Sequence, residues 1–133
     1  IDKELNFLTE NWPKNLPIGI IHADAFQDNV FFENQIFSGI IDFYFACNDF
    51  YAYELAICIN AWCFNEKFEI EANKSKTIIE SYNKLRNLTE SEKKAMPILL
   101  RGAAIRFLLT RLNDIIYFEK EAFVKPKDPM EYF

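Results

Sequence analysis

Apolar positions fall into short runs over the first fifty residues and into long helical stretches after them. In residues 1–17, Leu5, Phe7 and Leu8 fit one side of a helix that Pro13 and Pro17 end. Pro17 leads into Ile18-Gly19-Ile20-Ile21, a short apolar run that predicts a strand. A loop follows over residues 23–28, then a second strand, Val30-Phe31-Phe32-Glu33. Asn34-Gln35 fits a two-residue turn, although glutamine is a poor residue for positive φ, and residues 36–41 return as the second arm of a hairpin. Residues 44–49 read as a loop in which Asn48 or Asp49 caps a helix reaching about Asn65.

That helix is apolar on nearly every side, through Ala52, Leu55, Ala56, Ile57, Ile59, Trp62, Cys63 and Phe64, which predicts a buried central element. Residues 66–87 read as an amphipathic helix with Ile70, Ile78, Ile79, Tyr82 and Leu85 inward. Thr89-x-x-Glu92 is a capping box that starts a further helical stretch. Pro97 is expected to divide it, leaving a long helix over residues 97–118. Gly102-Ala103-Ala104 gives that helix a smooth patch for close packing, and residues 124–129 form a two-proline loop. The sum is an α+β, mostly helical single domain over residues 1–133: a small β-hairpin platform followed by three or four packed helices.

Composition narrows the class. Half of the 133 residues are hydrophobic and 17% are aromatic, fourteen of them phenylalanine, enough for a sizeable core and against disorder. The first residue is Ile1, and the opening residues already read as domain interior, so a fragment is expected. Residues 1–60 hold nine acids against Lys3 and Lys14, a charge of −7; residues 61–133 hold eleven acids and thirteen Lys/Arg, a charge of +2, giving the total of −5. An acid-rich first half argues against a nucleic-acid surface and suits a divalent cation. No run is long and apolar enough to span a bilayer, and no signal segment is evident. Cys47, Cys58 and Cys63 form no metal or disulfide pattern, which fits reduced thiols in a cytoplasmic protein.

Candidate chemistry concentrates in residues 18–43. His22 is the only histidine, and Asp24, Asn29 and Asp42 each stand where an apolar run ends. Singly, such acids serve most often as caps or surface charges. Together, two carboxylates and an amide oxygen are hard ligands suited to Mg²⁺. Asp42 could chelate a metal that bridges nucleotide phosphates, Asn29 could hold a second, and Asp24 would remain free to accept a proton from a hydroxyl.

His22-x-Asp24-x4-Asn29, with Asp42 thirteen residues further on in Ile41-Asp42-Phe43, resembles the catalytic-loop and metal motifs of protein kinases and of the aminoglycoside phosphotransferase and choline kinase superfamily. Within it, HADAFQDNVFF, SGIIDFYFACNDF, YELAICINAWCF, LLRGAAIRFLLTRL and VKPKDPMEYF resemble, in family order, the kinase-like type of homoserine kinase. The resemblance implies the C-terminal lobe of a kinase-like fold and transfer of the ATP γ-phosphate to the hydroxyl of L-homoserine. It implies Asp24 as base or hydroxyl-orienting residue, Asn29 and Asp42 as Mg²⁺ ligands, and His22 as a mainly structural support. Glu54 stands where the superfamily usually has an Asp that caps the catalytic loop. A carboxylate-bearing acceptor calls for a cation, and Arg106 and Arg111 are the substrate candidates, with Arg101, Asn60 and Trp62 behind them and Tyr44 as a pocket-lining residue. Each arginine has an ordinary alternative, pairing with structural acids.

The chain departs from the family by having neither a Gly-rich phosphate loop nor the lysine–glutamate pair, so the N-terminal nucleotide lobe is expected to be absent. Little or no activity is then expected of these residues alone, together with self-association through the face such a lobe would cover. Two alternatives stand beside this reading: a catalytically inactive remnant or binding module of the same fold, and a kinase for another acceptor such as an aminoglycoside or choline.

Overall fold

The computed structural model describes residues 1–118 and 125–132 of the chain. Helix α1 spans Asp2–Asn11 and buries Leu8. Strand β1, Ile18–Ile21, pairs antiparallel with β4, Cys47–Phe50, setting Ile18 opposite Phe50 and Ile21 opposite Cys47. Between them β2, Val30–Glu33, and β3, Ile36–Ile40, form the expected hairpin. Its turn places Asn34 at φ 50° and Gln35 at φ 65°, the left-handed pair that a two-residue hairpin demands. Three long helices follow: α2, Tyr51–Trp62; α3, Ala72–Leu85; and α4, Glu90–Ile116. A 3-10 turn at Pro129–Tyr132 closes the described chain. The α+β, mostly helical architecture is the one the hydrophobic pattern predicts.

The core lies between α2 and α4. Ala52, Leu55, Ala56, Ile57 and Ile59 of α2 meet Leu99, Ala103, Phe107 and Leu108 of α4, with Ile21 and Ala23 joining from β1 and the loop after it. Ile57, Ile59 and Leu99 are fully buried, so truncating any one to alanine costs about 2–5 kcal/mol. Gly102 takes an aromatic ring rather than a neighbouring helix: a Cβ there would stand 2.2 Å from the indole of Trp12. Arg101 then ties α1 down through a two-pronged pair with Glu4, both bonds at 2.7 Å, and lies over the Phe7 ring.

Five expectations need correction. Residues 47–50 are strand rather than loop, because pairing with β1 satisfies a backbone that Cys-Asn-Asp-Phe would not organise by propensity. Neither Asn48 nor Asp49 caps α2; its first residue follows Phe50, and the Asp49 carboxylate accepts the Phe50 N–H at 2.7 Å instead. The second long helix starts only at Ala72, since residues 64–70 turn back through a Phe64–Ile70 bridge. Ile70, ahead of the helix, and Leu85, at its end, are exposed, Leu85 at 94%, and the packing falls to Ile78, Ile79 and Tyr82. Pro97 does not divide α4. Pro97 and Lys93 both lie on the exposed side, so the carbonyl that loses its donor can be hydrated. Val124, which opens the two-proline loop, lies outside the described residues.

Candidate active site

The loop from His22 to Asn29 leaves the buried end of β1 and is fixed from four directions. His22 Nδ1 accepts the Asp24 N–H at 3.2 Å, so Nε2 carries the proton and donates to the Ile41 carbonyl at 2.8 Å. One imidazole thereby joins the loop to the residue before Asp42. From α2, the Glu54 carboxylate accepts the Ala23 N–H at 2.7 Å, and the Trp62 indole donates to the Ala25 carbonyl at 2.7 Å. From α4, the Arg106 guanidinium donates to the Ala23 carbonyl. Both polar groups of the Ala23 peptide are therefore held, and Ala23 itself adopts φ 61° while buried. A left-handed alanine costs about 1–2 kcal/mol, and the Glu54 and Arg106 bonds oppose its relaxation.

Asn29 ends the 3-10 turn at Gln27–Asn29. Its amide N–H group donates to the Asp24 carbonyl at 2.9 Å and to the Asp24 carboxylate at 3.2 Å. That orientation leaves the amide oxygen turned away, with no donor among the described residues. Its own carbonyl accepts the Ile41 N–H at 3.0 Å, locking the loop to the end of β3. Asp42 follows in a left-handed conformation, φ 64° and ψ 63°, which aspartate tolerates better than most residues. Its carboxylate is exposed and has no hydrogen-bond or ion-pair partner among the described residues.

Asp24, Asp42, Arg106 and Arg111 line one open cavity of about 950 Å³, with Phe26, Phe45 and Phe107 as apolar wall. Burial pushes the Asp24 carboxyl up from its ordinary range; Arg106, 3.9 Å away, pulls it back, and the Asp42 charge adds a smaller upward push. Arg111 is engaged by the tail, donating to the Asp128 carbonyl at 2.8 Å and pairing with Glu131. Asn60 is likewise engaged: its amide donates to the Leu100 carbonyl and its own carbonyl accepts the Tyr132 hydroxyl. Tyr44 does not line the cavity and is 86% exposed. Successive residues of a 3-10 turn face about a third of a turn apart, and in Phe43–Phe45 it is Phe45 that faces the cavity.

No three His, Cys, Asp or Glu side chains converge as a ready-made metal cage among the described residues. A free amide oxygen at Asn29 and an unpaired carboxylate at Asp42 are nevertheless the sparse oxygen set that suits Mg²⁺, which keeps waters and takes phosphate oxygens for the rest. Cys58 offers no rival nucleophile, since burial first and Glu54 second push its thiol up to about 12.

Sequence reasoning named Arg106 and Trp62 only as substrate candidates and missed three contacts that hold the loop. The Trp62 bond to Ala25 and the Arg106 bond to Ala23 join positions 37 and 83 residues apart, with no local signal to announce them. Lys127 reaches Asp28, 99 residues away, at 2.6 Å. Opposing its burial, the hydrogen bond and charge of Lys127 hold the Asp28 carboxyl below its usual range.

Known proteins resemble this chain along nearly its whole length. The chain is 55% identical to a homoserine kinase from Parvibaculum lavamentivorans over 99% of its own length and 41% of that protein. It is 58% identical to a homoserine kinase from Bartonella henselae over 100% of its length and 42% of that protein, and 53% identical to one from Rhodospirillum rubrum, covering 41% of it. The chain thus spans about two-fifths of the length of these curated relatives. Residues 1–84, which carry the His22–Asn29 loop, the hairpin, Asp42 and helix α2, match the family described as "Phosphotransferase enzyme family". On that match the chain belongs to the phosphotransferase enzyme family.

Proposed function

We propose that this chain is the catalytic-loop and acceptor lobe of an ATP-dependent homoserine kinase. The observation that carries the reading is the joint placement of Asp24 and Asp42 on one cavity, with Asn29 bonded to the Asp24 carboxylate and turned so that its amide oxygen is free. The relatives named as homoserine kinases supply the acceptor.

Asp24 accepts the proton of the acceptor hydroxyl as that oxygen forms its bond to the γ-phosphorus and the bond to the ADP oxygen breaks. A carboxyl raised by burial is a better proton acceptor than a free aspartate, and Arg106 limits that rise. Asn29 and Asp42 are the residues that would hold Mg²⁺, which neutralises phosphate charge when bound. His22 and Glu54 brace the loop through the Asp24 and Ala23 amides. The Cys47, Cys58 and Cys63 thiols are free, in keeping with a cytoplasmic enzyme that draws on cytoplasmic ATP.

A cationic acceptor would favour an acidic cavity. Among the described residues three acids, Asp24, Asp42 and Asp114, face four cations, Arg106, Arg111, Lys125 and Lys127, which suits an acceptor with a carboxylate. An acceptor panel tests this. The protein carrying this chain should phosphorylate L-homoserine in preference to choline or an aminoglycoside, and preference for either of those would overturn the assignment.

A further inference from the structure

We propose that Lys127 takes the acceptor's carboxylate and so sets the specificity of the site for an amino-acid alcohol. The inference rests on the homoserine kinase reading above and adds the group that recognises the end of the substrate remote from the reacting hydroxyl. Among the described residues four cations line the cavity, and they differ in what they can still do. The Arg111 side chain is 9% exposed and already holds Glu131 and the Asp128 carbonyl. Arg106 sits 3.9 Å from the Asp24 carboxylate. An acceptor carboxylate docked on Arg106 would therefore crowd the like charge of Asp24 and occupy the space its own hydroxyl needs. In homoserine the hydroxyl oxygen and the carboxylate are separated by a three-carbon chain, so the anchor must stand off from Asp24.

Lys127 meets that condition. It lines the same cavity, forms neither a hydrogen bond nor an ion pair with Asp24, and is near enough for its charge to be felt there as the weakest of several influences. Its ammonium is held 2.6 Å from Asp28 and 4.9 Å from the centre of the Phe26 ring. Among the described residues Asp28 uses one of the three ammonium N–H donors, on a side chain whose half-exposed face opens to the cavity. Asp28 and Phe26 fix the lysine before substrate arrives, which lowers the ordering cost of binding. Lys125 also lines the cavity but has no hydrogen bond or ion pair among the described residues to aim it.

The test compares two acceptors in the protein carrying this chain: L-homoserine, and 3-amino-1-propanol, which keeps the hydroxyl and amine but lacks the carboxylate. Lys127→Met should lower kcat/KM for L-homoserine about tenfold, mainly through KM, and leave kcat/KM for 3-amino-1-propanol within twofold. Lys127→Arg should restore most of the loss, and Lys125→Met should change the ratio less than Lys127→Met does. A loss shared equally by both acceptors would show a structural role, and an unchanged ratio would show none; either result overturns the proposal while homoserine phosphorylation by the unaltered protein still stands. If the unaltered protein does not phosphorylate L-homoserine at all, the functional reading and the role of Lys127 fall together.

Discussion

Asp24 is a carboxylate kept where its charge is disfavoured. Burial raises its pKa above the ordinary value, and Arg106 limits the rise. The sign for stability follows: the fold favours the protonated form, so the cost of holding the charge is absent at low pH and present once pH rises above the folded pKa. Asp24→Asn removes that charge while its side-chain oxygen can still accept from Asn29, so at pH 7 the melting temperature should stay level or rise while turnover is lost. A clear fall in melting temperature would contradict this. For activity, the acidic limb of the kcat profile should lie above the range of a free aspartate, near 3.9. Arg106→Met removes the cation that lowers the pKa and should move the limb to still higher pH; a shift to lower pH would oppose the assignment. The roles proposed for Asp24, Asn29 and Asp42 were legible in the sequence because their chemistry needs fixed types at fixed spacing. The left-handed Ala23 was not, since alanine has no preference for that conformation and its partners, Glu54 and Arg106, lie 31 and 83 residues away.

The elements that aim these residues draw stability from a few buried polar groups. Glu92 is the plainest case, fully buried at the start of α4. Its carboxylate accepts the Thr89 N–H at 2.8 Å and the Thr89 hydroxyl at 3.0 Å, while its other oxygen lies 2.9 Å from Arg86. Arg86 in turn stacks over the Tyr51 ring at the start of α2, and Tyr51 fills the space that Gly19 leaves open against β1. Glu92→Ala should therefore cost about 3 kcal/mol in a urea titration, combining a lost cap with an unpaired arginine. A change under about 1 kcal/mol would mean the network carries little. The capping box was readable because it is local. Strand β4 was not, because Asn48 and Asp49 disfavour strands and only β1, nearly thirty residues back, recruits them. The outward turn of Leu85 escaped periodicity because the helix ends there and Arg86 turns away to meet Glu92.

At the scale of the whole molecule, α2 and α4 form one core that Ile21 and Ala23 join, and the cavity lined by Asp24, Asp42 and Arg106 opens beside it. Apolar side chains nevertheless remain exposed on the strands, among them Ile18 and Ile20 on β1, Phe31 and Phe32 on β2, and Ile36 and Phe37 on β3. Ile20 is the most exposed of these, at 78%. Such a concentration drives association, so the 133-residue chain by itself should grow in mass with concentration by light scattering. A monomer at high concentration would contradict that. No helix among the described residues is long and apolar enough to cross a membrane. The central claim concerns chemistry, and one measurement reaches it most directly: homoserine-dependent ADP release by the protein carrying this chain, with and without Asp24→Ala. The account predicts Mg²⁺-dependent turnover that falls about 10³-fold in the variant while its circular dichroism is unchanged. Turnover retained by a folded Asp24→Ala protein would contradict it.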